Sequence, residues 1–273
     1  VIEGIDVSKY QDPEKIDWVE LSKHISFIYV KATDGVGSED KRFRLHVAAA
    51  KSVGIKVGAY HYLRVRHGKP ADYVQQADEF CALINEVGID LIPALDVETD
   101  GNTMASGVEI IDAVRTFLTR VEEKLGVKAL LYTYPSFWSS HKELMDAIDM
   151  LKHQLWIAHY TTNPAPIVPR PWAADPHGWT MWQYAAGAGN IGRIPGVPGV
   201  IDRDRINVSL DDISMPKLVP QGEQPEAPSL PTTDPQINCK PQIESPSTPK
   251  NELFLMLSKA MRNSLLKLRI LKH

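Results

Sequence analysis

Cysteine is scarce in this chain: two residues in 273, Cys81 and Cys239. Two thiols give no disulfide framework. Cys81 falls in a helical pattern and Cys239 in a proline-rich stretch, so both read as free thiols. No apolar run reaches the length of a membrane-spanning helix. The opening residues, VIEGIDVSKY, have neither the charged n-region nor the apolar h-region of a secretory leader. An excess of one charge is missing too. The net charge of −4 is too mild for a nucleic-acid binder, and no nucleic-acid partner is expected.

What is present suits a buried core. Hydrophobic residues make up 43% and charged residues 23%, an ordinary globular composition. Eight short apolar runs read as strands, at about 2–6, 26–31, 56–62, 91–98, 128–134, 154–160, 179–184 and 199–203. Helical patterns fill the gaps at 39–53, 70–87, 104–125 and about 140–152, with a shorter one near 13–23. Gly54 and Gly126 stand just past two of them, where a left-handed cap is wanted. Prolines 164, 166, 169, 171 and 176 exclude a helix between strands six and seven. Gly and Pro make 185–198 a loop. The pattern is five strand–helix units followed by three strands. It predicts an α/β fold, a modified TIM-like barrel of parallel strands lacking its last outer helices.

The barrel is expected to span 1–215. Residues 216–251 carry nine prolines among Ser, Thr, Gln and Glu, the composition of an extended linker. Residues 252–273 read as a basic amphipathic helix: Leu253, Leu257, Ala260, Met261, Leu268 and Leu271 share one side, and five cations lie mostly opposite. Such a helix suits an anionic membrane or lipopolysaccharide surface, or docks on the acidic barrel or on a second copy.

In a barrel of this kind, chemistry sits at the carboxyl ends of the strands. Asp6 ends the first run, Asp96 and Glu98 the fourth, and Asp202 the eighth. Alternation puts Ala94, Asp96 and Glu98 on one face. Closure of the barrel brings Asp6 and Asp202 together across the seam. Crowded, partly desolvated carboxyls raise at least one pKa. A carboxyl that stays protonated near neutral pH can donate its proton to a glycosidic oxygen beside a charge-stabilising carboxylate. Tyr62, Tyr132, Tyr134, Trp156, Tyr160, Trp182 and Tyr184 offer flat faces and hydroxyls at the same end, as a sugar site needs. Acid clusters also bind cations, and His61 and His159 end strands here. Each histidine alone reads better as a hydrogen-bonded wall residue, so neither a metal nor another cofactor is expected.

The segments GIDVSKYQ (4–11), IDW (16–18), FIYVKATDG (27–35), GIKVGAYHYL (54–63), PALDVE (93–98), LLYTYPSFW (130–138), LWIAHY (155–160), MWQYA (181–185) and GVIDRDRIN (199–207) run in a familiar order. Through them the chain resembles glycoside hydrolase family 25, the Chalaropsis-type lysozymes of bacteria, fungi and bacteriophages. The resemblance implies a barrel of five strand–helix units plus three strands. It also implies an N-acetylmuramidase cutting the β-1,4 bond between N-acetylmuramic acid and N-acetylglucosamine, with peptidoglycan glycan strands as partner and the bacterial cell wall as place of action. By position, Glu98 looks like the general acid. Asp96 looks like a nucleophile or a stabiliser of the substrate's acetamido group, and Asp6 and Asp202 like supporting acids. Tyr62, Tyr132, Trp156, Tyr160 and Trp182 fall where the family lines its groove. Asp34 stands where Glu or Gln is common, and Arg203–Asp204 replaces a pattern usually ending in Asn; both departures are expected near the mouth. The basic tail suggests a phage endolysin. A binding module without catalysis would be expected to lack Asp96 or Glu98. A chitin-cleaving barrel would need a longer acid run before Asp96.

Overall fold

Apolar runs and alternating patterns build eight short strands, hydrogen-bonded in sequence order into one closed barrel in a computed structural model. The structure describes residues 1–216 apart from 103, 177 and 187–190. The strands are β1 (Ile2–Val7), β2 (Phe27–Asp34), β3 (Lys56–Tyr62), β4 (Ala94–Asp96), β5 (Leu130–Thr133), β6 (Leu155–Ala158), β7 (Met181–Ala185) and β8 (Asp202–Ile206). The α/β barrel expected from the sequence is present. The linker and basic helix expected beyond Pro216 lie outside the described residues.

One strand runs against expectation. β1 to β7 pair in parallel, but β8 is antiparallel to both β7 and β1. Parallel neighbours need a long crossover, usually helical, whereas antiparallel ones do not. The described residues of the Gly- and Pro-rich stretch before β8 form no helix.

The early crossovers are helical: α1 (Trp18–Leu21), α2 (Phe43–Ser52), α3 (Ala71–Val87) and α4 (Gly107–Leu125). α4 shows why. A Ser106–Glu109 capping box starts it, Gly126 ends it at φ 68°, and Ile110, Val114, Phe117, Leu118 and Val121 make one buried stripe. The helix expected over 140–152 is divided. α5 (Pro135–Ser139) and α6 (Lys142–Met145) are followed by a 3₁₀ turn at Ile148–Lys152, because Ala147 leaves helical geometry at ψ 72°. Where the outer ring lacks helices, Trp172 packs on Trp138 with ring centroids 5.1 Å apart.

Alternation along the strands divides the apolar residues into two cores. Leu95, Val97, Leu131 and Ile157 face the helices. Phe27, Tyr29, Leu130, Trp156, Met181 and Ile206 fill the barrel. The interior rings need missing side chains opposite them. A Cβ on Gly4 would come within 2.4 Å of the Phe27 ring, and one on Gly58 within 2.4 Å of the Tyr29 ring. The chain after β8 returns beneath the barrel. Ile92 N–H donates to the Ile213 carbonyl at 2.7 Å and Met215 N–H to the Asp90 carbonyl at 2.8 Å. Fully buried Ile213 joins the interior core there. One end of the barrel is closed by apolar packing, and the functional side chains gather at the other.

Candidate active site

Strand β4 sets the first pair of acids. Ala94 and Asp96 point into the barrel while Leu95 and Val97 join the outer core. The extended path continues past β4, because Val97 N–H donates to the Tyr132 carbonyl at 3.0 Å and Thr133 Oγ1 donates to the Val97 carbonyl at 2.9 Å. Asn102, 2% exposed, then fixes the turn. Its Nδ2 donates to the Glu98 and Leu63 carbonyls, each at 2.9 Å, and its Oδ1 accepts the Val65 N–H at 2.7 Å. Glu98 is therefore held from both sides of its backbone.

The opposing wall is the β1–β8 seam. Asp6 and Asp202 are register partners there, as closure of the barrel requires. Asp202 begins an antiparallel strand, however, where the sequence suggested that it ends a parallel one. The reversal carries Asp204, two residues further on, down into the barrel. It is fully buried, not at the mouth, and accepts the Trp156 indole N–H at 2.9 Å. Gln183 on β7 links the walls. Its Nε2 donates to Asp6 Oδ2 at 2.6 Å, and its Oε1 accepts from the Tyr132 hydroxyl at 3.0 Å and the Tyr160 hydroxyl at 2.6 Å.

Two adjoining cavities result. A pit of about 280 Å³ is lined by Asp6, Asp96, Glu98, Asp202, Lys31 and Tyr62, with Tyr60, Trp156 and Gln183 completing its walls. A more open hollow of about 700 Å³ lies beside it, against Tyr134, Pro135, His159 and Ile167. Glu98, Tyr132 and Tyr160 line both. Among those three, Glu98 alone is a carboxyl.

Burial pushes the Asp96 carboxyl well above the usual carboxylate range, and the Glu98 charge beside it adds to this. Burial also raises Glu98, although contact with Asp96 and the charge of Lys31 moderate the rise. Asp96 Oδ1 is buried with no hydrogen-bond partner among the described residues. Burial likewise raises Asp6, followed by the charges of Asp204 and Asp202. Asp34 behaves oppositely. Burial pushes it up, but hydrogen bonds from Arg64 at 2.6 Å and Lys31 at 2.7 Å prevail and hold it at about 2. Lys31 Nζ and the Arg64 guanidinium each stand 4.3 Å from the centre of the Tyr62 ring. These contacts, with the Tyr62 hydroxyl on the Asp100 carbonyl at 3.1 Å, fix the pit's rim.

Two aromatics expected in the groove lie elsewhere. On β7, Met181 and Gln183 face inward, so Trp182 and Tyr184 face outward. Trp182 Nε1 donates to the His159 carbonyl at 2.8 Å, and the Tyr184 hydroxyl donates to Glu3 Oε2 at 2.5 Å. Lys31, Gln183, Asn102 and Asp204 were not singled out as site residues from sequence. A lysine inside the apolar run FIYVKATD, and a glutamine between two outward aromatics, were the available signals.

His61 turns away from the pit, between Thr33, Gln76 and the stacked Phe117 ring, and burial lowers it to about 4. His159 Nδ1 accepts the Ile167 N–H at 3.0 Å. Among the described residues, no group of three or more His, Cys, Asp or Glu side chains is placed to hold a metal ion.

The sequence profile of glycosyl hydrolases family 25 matches residues 5–196. The chain belongs to this family. Over 216 residues it is 31% identical to Lysozyme M1 of Streptomyces globisporus, covering 76% of this chain and 68% of that protein. It is 27% identical to the N,O-diacetylmuramidase of Chalaropsis sp over 206 residues, covering 69% and 92%. The crystal structure of the bacterial lysozyme from Streptomyces coelicolor matches it with a TM-score of 0.63 at 28% identity, covering 78% of this chain and 94% of that one. Family 25 membership makes the chain a glycosidase. The family 25 match includes Asp6, Asp96 and Glu98 and stops short of Asp202 and Asp204.

Proposed function

We propose that this chain is a lysozyme, an N-acetylmuramidase that hydrolyses the β-1,4 bond between N-acetylmuramic acid and N-acetylglucosamine in peptidoglycan. The observation that carries the reading is the position of Glu98 where the acidic pit meets the open hollow. A glycosidic oxygen joining a sugar in the pit to one in the hollow would lie against that carboxyl. Its raised pKa lets it hold a proton at a higher pH than an ordinary carboxyl and pass it to the leaving oxygen.

Positive charge then develops on the sugar in the pit. Asp96, beneath Glu98, supports it as nucleophile or as partner of the substrate's acetamido group. Asp6 and Asp202 stand on the seam as supporting acids. Tyr62, Tyr132, Trp156 and Tyr160 supply the walls, and Tyr160, 55% exposed, is the one a sugar meets first.

Mass analysis of digested peptidoglycan tests the reading. New reducing ends on muramic acid are expected. New ends on glucosamine, or cut peptides, would replace it with another activity, and no cleavage would favour a binding module. A finer proposal is that the enzyme acts on the cell wall during host lysis, as a bacteriophage endolysin, with residues 252–273 drawn to an anionic membrane or lipopolysaccharide surface. Its support is the net charge of +4 over 251–273 against −8 over the rest of the chain. Deleting 250–273 should spare hydrolysis of purified peptidoglycan and reduce killing of whole cells. Equal killing would remove the tail from the proposal.

A further inference from the structure

Beneath the pit, two carboxyl groups meet without a cation between them. Asp204 is the register partner of Gly4 on β1 and of Gln183 on β7, and its side chain enters the barrel, where it is fully buried. Oδ1 takes the Trp156 indole N–H. Oδ2 is equally buried, and no N–H or hydroxyl reaches it. Asp6 pairs with Asp202 in register, so its inward carboxyl is the diagonal neighbour of Asp204, and the two carboxyls lie against each other. Two ionised carboxylates are acceptors only, so this contact requires a proton between them.

The surroundings favour a proton there. The polar groups around the pair are Asp202 on β8, Tyr29 on β2, Tyr60 on β3, Gln183 on β7 and Tyr160 beyond β6, with the charge of Glu3 on the outer face of β1 behind them. Lys31 on β2 also lines the pit, but its ammonium is committed to Asp34 at 2.7 Å. The Tyr29 hydroxyl is committed to the Ile92 carbonyl at 2.9 Å. Each carboxyl has one N–H donor, Trp156 for Asp204 and Gln183 for Asp6, and burial raises both, so the proton belongs to the pair.

We propose that Asp204 is a positioning residue for Asp6, the pair sharing one proton beneath the pit. Asp6 then faces the sugar as half of a singly protonated pair, and Gln183 stays seated on it with both tyrosine hydroxyls in place. An asparagine at 204 would still accept from Trp156 but would offer Asp6 an N–H, leaving Asp6 as a carboxylate. For catalysis the inference rests on the lysozyme reading; the shared proton itself does not.

The experiment compares the full chain with Asp204→Asn, Asp204→Leu and Asp6→Asn. A protonated carboxyl has an infrared carbonyl band distinct from that of a carboxylate. Near neutral pH, difference spectra against the parent should show the loss of one such band in both Asp204→Asn and Asp6→Asn, while any band of the Asp96–Glu98 pair stays. A carboxyl that gains a proton on folding makes the protein less stable as pH rises from the ordinary carboxylate pKa through its raised value. The unfolding equilibrium constant of Asp204→Asn should therefore rise up to about tenfold less per pH unit in that window than the parent's. Asp204→Asn should keep hydrolysis with an altered pH profile. Asp204→Leu, with no acceptor for Trp156, should lose most of it. An unchanged band, or superimposable stability–pH curves, would overturn the proposal even in a fully active enzyme. If the parent fails to cleave peptidoglycan, the lysozyme reading falls while the band and the slope still decide the proton.

Discussion

The barrel carries two pairs of acids on opposite walls, and they are built differently. Asp96 and Glu98 lie two residues apart along one extended segment, so strand alternation alone brings them together. Lys31 lowers both, and Glu98 opens onto the larger hollow. Asp6 and Asp204 come from neighbouring strands that run in opposite directions. They are sealed, their partners are Gln183 and Trp156, and only Asp6 reaches the pit. Buried carboxyl pairs hold protons wherever they occur. Access to the substrate space turns one pair toward chemistry, and its absence turns the other toward support.

The two pairs should respond very differently to neutral replacements. Glu98→Gln keeps shape and removes the proton donor. It should lower kcat by about 10²–10⁴-fold, measured as release of muramic acid reducing ends. Its melting temperature near neutral pH should hold or rise, because a buried carboxyl with a raised pKa is destabilising when ionised. Asp96→Asn should follow with a loss of about 10²–10³ in kcat, the scale of one removed electrostatic stabiliser. If either variant turns over at the parent rate, the β4 pair is not the reacting one.

How much of this was legible in the sequence depends on what each residue needs. Asp96 and Glu98 need only a strand and its period of two, so both could be placed from PALDVE alone. Glycine and capping signals likewise gave α4 its ends. Asp202 was placed at the right mouth for the wrong reason, since the expected parallel strand is antiparallel. The clue was the helix-free link before it, because a parallel neighbour would have needed a crossover. Asp204 was misplaced with it: its depth depends on strand direction and register, which no local pattern encodes. Trp182 and Tyr184 were assigned by nearness to a strand end. The alternation rule applied through Gln183 would have turned both outward.

The response to pH should separate the acids again. Asp6, Asp96, Glu98 and Asp204 all have raised folded-state pKa values. Stability linked to them is fully present below the ordinary carboxylate range and falls as pH rises through their raised values. Asp34, held at about 2, works in the other direction: its contribution is present above its ordinary pKa and is lost as pH falls toward about 2. Denaturant melts across pH should show both limbs. Asp34→Asn should flatten the acid limb and leave the other unchanged, and loss of both limbs together would contradict this division.

The smallest effects are expected on β7, where neighbouring residues belong to opposite faces. Gln183→Leu leaves Asp6 and two tyrosine hydroxyls without their partner. It should cost about 1–3 kcal/mol of stability, as for other buried groups left unsatisfied, and reduce activity through the displaced wall. Tyr184→Phe removes only the outward hydrogen bond to Glu3. It should cost about 0.5–1.5 kcal/mol at most and leave kcat and KM at parent values. A change in KM with Tyr184→Phe, without one in Gln183→Leu, would mean that the substrate meets the outer face of this strand. The walls of the site would then have to be redrawn from Gln183 outward.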